Sequence, residues 1–256
     1  MSMPTVTATD IAAGLCELGL PQGCVVLVHS SLKSFGYVEG GPHAVIEGIR
    51  RAIGPDGTIV VPTLTFSSFA RSEPYIDLRE ARAETGIIPE TLRHYQGALR
   101  SIHPTSSVAA LGPLAAELVR WHHDTPCDTE SPYGKVFTMD GWILFLGAGF
   151  SSNSLFHVAE EIVSPDYLGY HLYKNVHVTT ADGSTYVGDF RRYNCTDRGI
   201  RRYLANMEQI YEQKRLIRCG QIGNCRVMLL SARDNVLTAC EVLRNKPEFI
   251  LNPLTD

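Results

Sequence analysis

The most constraining stretch of the chain sets one amphipathic segment between two short apolar runs. Cys24 to Val28 is apolar without a break and is bounded by Gly23 and His29. A run of this kind suits a strand buried on both faces. Val45, Ile46, Ile49, Ala52 and Ile53 then fall on one face of a helix. Gly40-Gly41-Pro42 opens that helix and Gly54-Pro55 closes it. Asp56-Gly57 makes a turn, and Thr58 to Val61 is the second apolar run. Strand, helix and strand in this order imply a parallel pair, because parallel strands need a long crossover between them. The expected class is therefore α/β.

The alternation continues along the chain. Pro113 begins a helical stretch through Val119, and Trp142 to Leu146 reads as another buried strand. Asn153 or Ser154 is placed to cap a helix that reaches Val163. After Pro165 the texture changes. Val176 to Thr180 and Thr185 to Phe190 flank Ala181-Asp182-Gly183-Ser184, a hairpin signal. Ile200, Tyr203, Leu204, Met207, Ile210 and Tyr211 form a helical stripe, and Ser231 with Asp234 suggests a cap before a final helix near Val236 to Leu243. The expectation is one domain over residues 1–256. Its core, to about residue 165, is a mixed, largely parallel central sheet flanked by helices, and an α+β extension covers about 166–256.

A chain of 256 residues can bury a sizeable core without disulfides or a structural metal. Twenty-three Lys and Arg stand against 27 Asp and Glu, a formal charge of -4, which does not suit a nucleic-acid partner. No apolar run reaches the roughly 18 residues of a membrane span. The opening residues Met1-Ser2-Met3-Pro4 carry no secretory pattern. Seven irregularly spaced cysteines, none two residues from another, read as reduced thiols of a cytoplasmic protein. The charge is uneven. Residues 191–218 hold eight basic side chains against three acidic ones, a local +5 that leaves -9 on the remainder. Such a segment is either a solvated face or a site for an anion, such as cofactor phosphates or an anionic acceptor.

Ligands of open α/β sheets gather outside the carboxyl ends of the strands. Three polar segments fall there: His29 to Gly36, Pro62 to Phe66, and the Gly147-Ala148-Gly149 loop with the helix that presents His157. An imidazole accepts a proton at working pH, and Glu160 and Glu161, three and four residues on, share its helical face. One reading is a base whose tautomer a carboxylate fixes; the other is an ordinary surface helix. The helical di-iron pattern runs Glu-x-x-His and needs a second copy, so no metal is expected. His29 points into a crevice or into the core. His103-Pro104-Thr105-Ser106-Ser107 offers hydroxyls and N–H groups to a ligand, or is a plain turn. His122-His123 with Asp124 reads as a solvated helix end, and Cys195 has no local histidine to activate it. Ser152 stands where a dinucleotide fingerprint needs its third glycine, and neither a nucleophile elbow nor a P-loop occurs.

Taken in order, the segments resemble the aminoglycoside 3-N-acetyltransferase family. The resemblance runs through Val28-His29-Ser30-Ser31-Leu32 with Phe35-Gly36, Gly54-Pro55-Asp56-Gly57-Thr58 with Val61-Pro62-Thr63, and Thr85-Gly86 with Pro89-Glu90. It continues through Arg100-Ser101, His103 to Ala110, Ser131 to Lys135, Leu144 to Gly147, Ser154 to Glu161, Ala232-Arg233-Asp234 and Asn245-Lys246-Pro247. It implies an α/β acyltransferase, distinct from the GNAT fold, with acetyl-CoA as co-substrate, a small amine-bearing acceptor and no metal. It implies that the cofactor arm lies near Ser30, Ser31, Leu32, Lys33, Phe35, Thr63, Ser107 and Val108. It implies that His157 with Glu160 activates the amine, with His29 in the same cleft, and that Glu161, Thr65, Glu84 and His103 contact the acceptor. Loop N–H groups near Ser31 or Ser107 would meet the oxyanion. Many members carry a second histidine where this chain has Ser106. The acceptor is an aminoglycoside-type antibiotic or, alternatively, a biosynthetic amino sugar or other natural-product amine; a non-catalytic CoA-binding protein and a homodimer stay open.

Overall fold

The computed structural model describes residues 5–252. The first half runs β1 (Thr5–Val6), α1 (Ala8–Glu17), β2 (Val25–Ser30), β3 (Tyr37–Val38), α2 (Gly41–Ile53), β4 (Thr58–Pro62), α3 (Phe66–Ser72), β5 (Tyr75–Asp77), α4 (Ile87–Leu92), β6 (Leu99–Arg100), β7 (Val108–Leu111) and α5 (Ala115–Val119). The second half runs α6 (Pro132–Thr138), β8 (Trp142–Leu146), α7 (Phe156–Val163), β9 (Tyr170–Thr179), β10 (Thr185–Tyr193), α8 (Met207–Gln213), β11 (Arg218–Ile222), β12 (Cys225–Ser231), α9 (Ala232–Asn245) and α10 (Glu248–Leu251).

Seven strands form the central sheet in the order β11-β12-β8-β2-β4-β7-β6. Its middle, β8-β2-β4, is parallel, and antiparallel strands extend it on both sides. The parallel strands are buried along nearly their whole length, which is why they read as unbroken apolar runs. Successive side chains point to opposite faces. Val26, Val28, Ile59, Val61, Leu144 and Leu146 meet Ile11, Leu15, Val45, Ile46 and Ile49 of α1 and α2. Leu27, Val60, Ile143 and Phe145 meet Phe156, Val158, Val236, Ala239 and Leu243 of α7 and α9 on the other side. A second sheet, β10-β9-β5, has a small core of Phe69, Ile76, Val176, Val178 and Phe190.

Gly40 and Gly54 stand on either side of α2 with φ of 81° and 72°, which only glycine adopts without strain. Several expectations are corrected. The chain after 165 is not all extension, because β11, β12 and α9 return to the central sheet and its layer. β11 is a mostly exposed polar edge, and Arg226 interrupts the apolar run of β12, so neither stood out. The stripe at 200–211 is helical only from Met207, after a 3-10 turn at Leu204–Asn206. The backbone turns at Gly199, φ 74°, before that. Neither Asn153 nor Ser154 caps α7, whose N-cap is Leu155, and the buried Asn153 amide donates to Asn235 Oδ1 at 3.3 Å instead. His122 is buried, bonded at 2.8 Å to both Ser101 Oγ and the Pro126 carbonyl, rather than solvated. Helix α1, with a Thr7–Asp10 capping box, was not anticipated. No helix among the described residues is long and apolar enough to cross a membrane.

Candidate active site

The carboxyl ends of β2, β4 and β8 open onto a cavity of about 540 Å³, bordered by His29, Ser30, Pro62, Ser154, His157 and Tyr193. A second cavity of about 590 Å³ shares Ser151, His157, Thr196 and Arg202 with the first and adds Arg201. His157 therefore stands between two cavities.

Helix α7 places His157 and Glu160 one turn apart. The His157 side chain is 21% exposed and that of Glu160 fully buried. Glu160 Oε2 accepts from His157 Nδ1 at 2.6 Å and from the Arg202 guanidinium at 2.8 Å, and Oε1 accepts the Tyr167 hydroxyl at 2.7 Å. Burial pushes this carboxyl up, but His157, Arg202 and Tyr167 together hold it below its ordinary value. Against an ionised Glu160, Nδ1 of the ring is the donor of this bond.

Glu161 does not line either cavity. It accepts the Tyr170 hydroxyl at 2.6 Å and the Tyr193 hydroxyl at 2.7 Å. Burial raises it, Asp128 and Glu160 add to the rise, and the two hydroxyls oppose it. The Tyr193 ring packs on His157 at 5.3 Å between centroids, so Glu161 holds one wall beside His157. His29 is buried and stacked on Phe145 at 5.4 Å, and its Nε2 accepts the Ser154 N–H at 3.3 Å. Burial, with His157 nearby, brings its pKa down to about 3, so the ring is neutral at working pH.

Of the expected cofactor residues, Ser30 alone borders the cavity, and its buried Oγ has no hydrogen-bond partner among the described residues. An orphaned hydroxyl there fits a ligand's polar group such as a pantetheine amide. The Ser31 N–H donates to the Leu146 carbonyl at 2.8 Å and is not free for an oxyanion. Leu32 leans on the core beside α1 and α2, Lys33 is exposed, and Phe35 is fully buried in that core. Thr63, Ser107 and Val108 are fully buried behind the cavity wall. There Thr63 and Ser107 bond each other at 3.0 Å. The buried Arg100 guanidinium donates to Ser107 Oγ and to the carbonyls of Leu78, Ala81 and Thr63, tying the loop after β5 to the end of β4. Burial, with Arg93 nearby, draws Arg100 down to about 9, while Glu90 opposes the shift.

The expected acceptor residues are braces as well. Thr65 Oγ1 donates to the Pro104 carbonyl at 2.7 Å, and Glu84 accepts the N–H groups of Ser67 and Ser68 at the start of α3. His103 accepts from the Ser106 N–H at 3.1 Å and donates to the Arg191 carbonyl at 3.1 Å. Burial, with His122 beside it, holds His103 well below its ordinary value. The sequence reading missed Arg202, Tyr167 and Tyr193. Arginine density at 191–218 hinted at Arg202, but its partner lies 42 residues away and no local spacing reports it. Among the described residues bordering the two cavities, the one carboxylate is Asp197, paired with Arg192 at 2.5 Å. No group of three or more potential metal ligands occurs among the described residues.

The α/β sheet presents a carboxylate-backed imidazole between two cavities of a size that suits a small ligand. The chain belongs to the aminoglycoside 3-N-acetyltransferase family, whose profile matches residues 27–244. It is 37% identical over 175 residues to aminoglycoside N(3)-acetyltransferase VII of Streptomyces paromomycinus, covering 61% of each chain. It is 30% identical over 247 residues to aminoglycoside N(3)-acetyltransferase IV of a Salmonella species, covering 95% of this chain and 90% of the relative. The chain thus matches about three fifths of the first relative's length. The structure of AAC-IIIb with CoASH superposes with a TM-score of 0.83 at 25% identity, over 98% of this chain and 100% of its own.

Proposed function

We propose that the protein transfers an acetyl group from acetyl-CoA to an amine of an aminoglycoside-type acceptor. The observation that carries this reading is the 2.6 Å bond between His157 Nδ1 and Glu160, made by a ring that borders both cavities. An ammonium group has no lone pair and cannot attack a thioester. In our reading His157 Nε2 takes its proton, while Glu160 keeps the ring's tautomer and stabilises the imidazolium. The neutral amine then forms the C–N bond, the C–S bond breaks, His157 returns one proton to the departing CoA thiolate, and the second proton, shed by the nitrogen as the amide forms, passes to solvent.

Direct transfer is favoured over an acyl-enzyme. Cys127 borders the cavity, but burial, with Glu161 nearby, pushes its thiol well above the ordinary range, so it is protonated and a poor nucleophile. The unpartnered Ser30 hydroxyl is the natural contact for the cofactor arm, and seven free cysteines fit a reducing cytoplasm. A second reading, a biosynthetic amino sugar as acceptor, is favoured by one observation. A polycation calls for several carboxylates, and Asp197, the one bordering the cavities, is already paired. The test is free-thiol release from acetyl-CoA with aminoglycosides and with nucleotide-linked amino sugars. Turnover of an aminoglycoside supports the first reading, turnover of amino sugars alone supports the second, and CoA binding without turnover of any amine overturns both.

A further inference from the structure

Arg202 comes from the irregular stretch before the 3-10 turn at Leu204, yet its side chain is only 16% exposed. Its guanidinium packs over the Tyr193 ring at 5.5 Å, lies 3.5 Å from His157 Nδ1, and bonds the same oxygen of Glu160 that the ring uses. One carboxylate oxygen thus serves two cations whenever His157 is protonated. Among the described residues, the other titratable groups around the ring are Tyr193 with Glu161 behind it, Tyr167 acting through Glu160, neutral His29 at the end of β2, the Arg192–Asp197 pair, Cys127 and Tyr133 in the first cavity, and Arg201 in the second.

A buried carboxylate with only an imidazole for company strongly favours the imidazolium form of the ring. A base in that state takes no proton from an amine. A fixed positive charge on the same oxygen weakens that preference while keeping Glu160 ionised. We propose that Arg202 is a positioning residue for the acyl transfer, dividing Glu160 between two cations so that His157 is oriented by the carboxylate yet free to accept a proton at neutral pH. The proposal rests on the general-base reading above.

Two measurements test it on the full chain: the pH profile of kcat/KM for acetyl transfer, and the NMR titration of the His157 ring. In Arg202→Met the acid limb and the ring titration both move up by about one pH unit. Turnover well below the acid limb falls up to about tenfold and returns to near wild type at alkaline pH. Arg202→Lys keeps the charge and moves both by much less. A merely structural role predicts a loss that is equal at every pH, and an unmoved ring titration overturns the proposal. Should Arg202→Met fail to fold, Arg202→Gln removes the charge while keeping a donor to Glu160 and takes the same measurements. If the wild-type protein acetylates no amine, the acyl-transfer reading fails on turnover, and the ring titration still decides whether Arg202 weakens the hold of Glu160.

Discussion

Replacing Glu160 by glutamine changes one oxygen for an amide and nothing in volume, so it isolates the charge. The structure gives that charge three partners: His157 at 2.6 Å, Arg202 at 2.8 Å and Tyr167 at 2.7 Å. Glutamine can offer its carbonyl to His157 or to Arg202, and its NH2 must then face a donor or the Tyr167 oxygen. A hydrogen bond to a charged group contributes about 1.5–3 kcal/mol. Its loss from the imidazolium at the transition state lowers kcat/KM by roughly ten- to hundredfold. Stability falls too. Breaking a buried ion pair from one side costs about 3–5 kcal/mol. Arg202 retains some solvent contact, with 16% of its side chain exposed, so the expected loss lies at the low end, about 3 kcal/mol. Thiol release measures the first effect and urea unfolding the second. A variant within threefold of wild-type kcat/KM would refute the role given to the carboxylate, and unchanged stability would refute the buried pair with Arg202.

His157→Ala is expected to lose most of kcat while CoA binding, followed by calorimetry, persists; near-normal turnover would remove the base. His122 is buried neutral, its pKa brought to about 3 by burial, so the folded state resists the proton that the unfolded chain accepts near pH 6.5. Its contribution to stability is complete above about pH 6.5 and drains away as the pH falls toward about 3, at up to about 1.4 kcal/mol per unit. Urea midpoints should therefore fall between pH 6.5 and 4, and His122→Asn should flatten that slope. Arg100→Met leaves the carbonyls of Leu78, Ala81 and Thr63 without this donor inside the protein, and about 3 kcal/mol of stability should go with it. An unfolding curve that does not move would show that water replaces the guanidinium.

The parallel centre of the fold was legible because doubly buried strands must be apolar at every position. Trp142–Leu146 is a strand over the expected residues, and α2 begins and ends at its glycines for the same local reasons. The His157–Glu160 pair was legible because spacing by three on a helix is itself a contact. What escaped had non-local causes. β12 pairs with β8 across some eighty residues of chain, and its own pattern is interrupted by Arg226. Thr63 and Ser107 stand beside cavity residues in sequence and Phe35 lies five residues past Ser30, but strand alternation and the 3-10 turn after β2 carry them behind the wall. A motif marks the neighbourhood of a site, and side-chain direction decides which of its members reach the ligand.

The basic segment makes the same point about charge. Counting along residues 191–218 treats neighbours in the chain as neighbours in space, but this stretch fans its cations across the fold. Arg191 reaches Asp124, Arg192 reaches Asp197, Arg198 donates to the Tyr167 carbonyl, Lys214 pairs with Glu241, and Arg218 donates to the Gly19 carbonyl. Arg202 goes inward to Glu160. Six of the eight cations are exposed, so the local +5 is largely a solvated surface whose side chains also tie the segment down, with Arg202 turned inward. The consequence falls on the acceptor. The acidic remainder of the chain would draw a polycation only if its carboxylates faced the cavity, and the one beside the base is already matched by Arg202. In the proposed reaction an incoming amine meets His157 rather than a field of carboxylates. For a site built this way, discrimination among acceptors has to come from shape and hydrogen bonding more than from attraction of total charge.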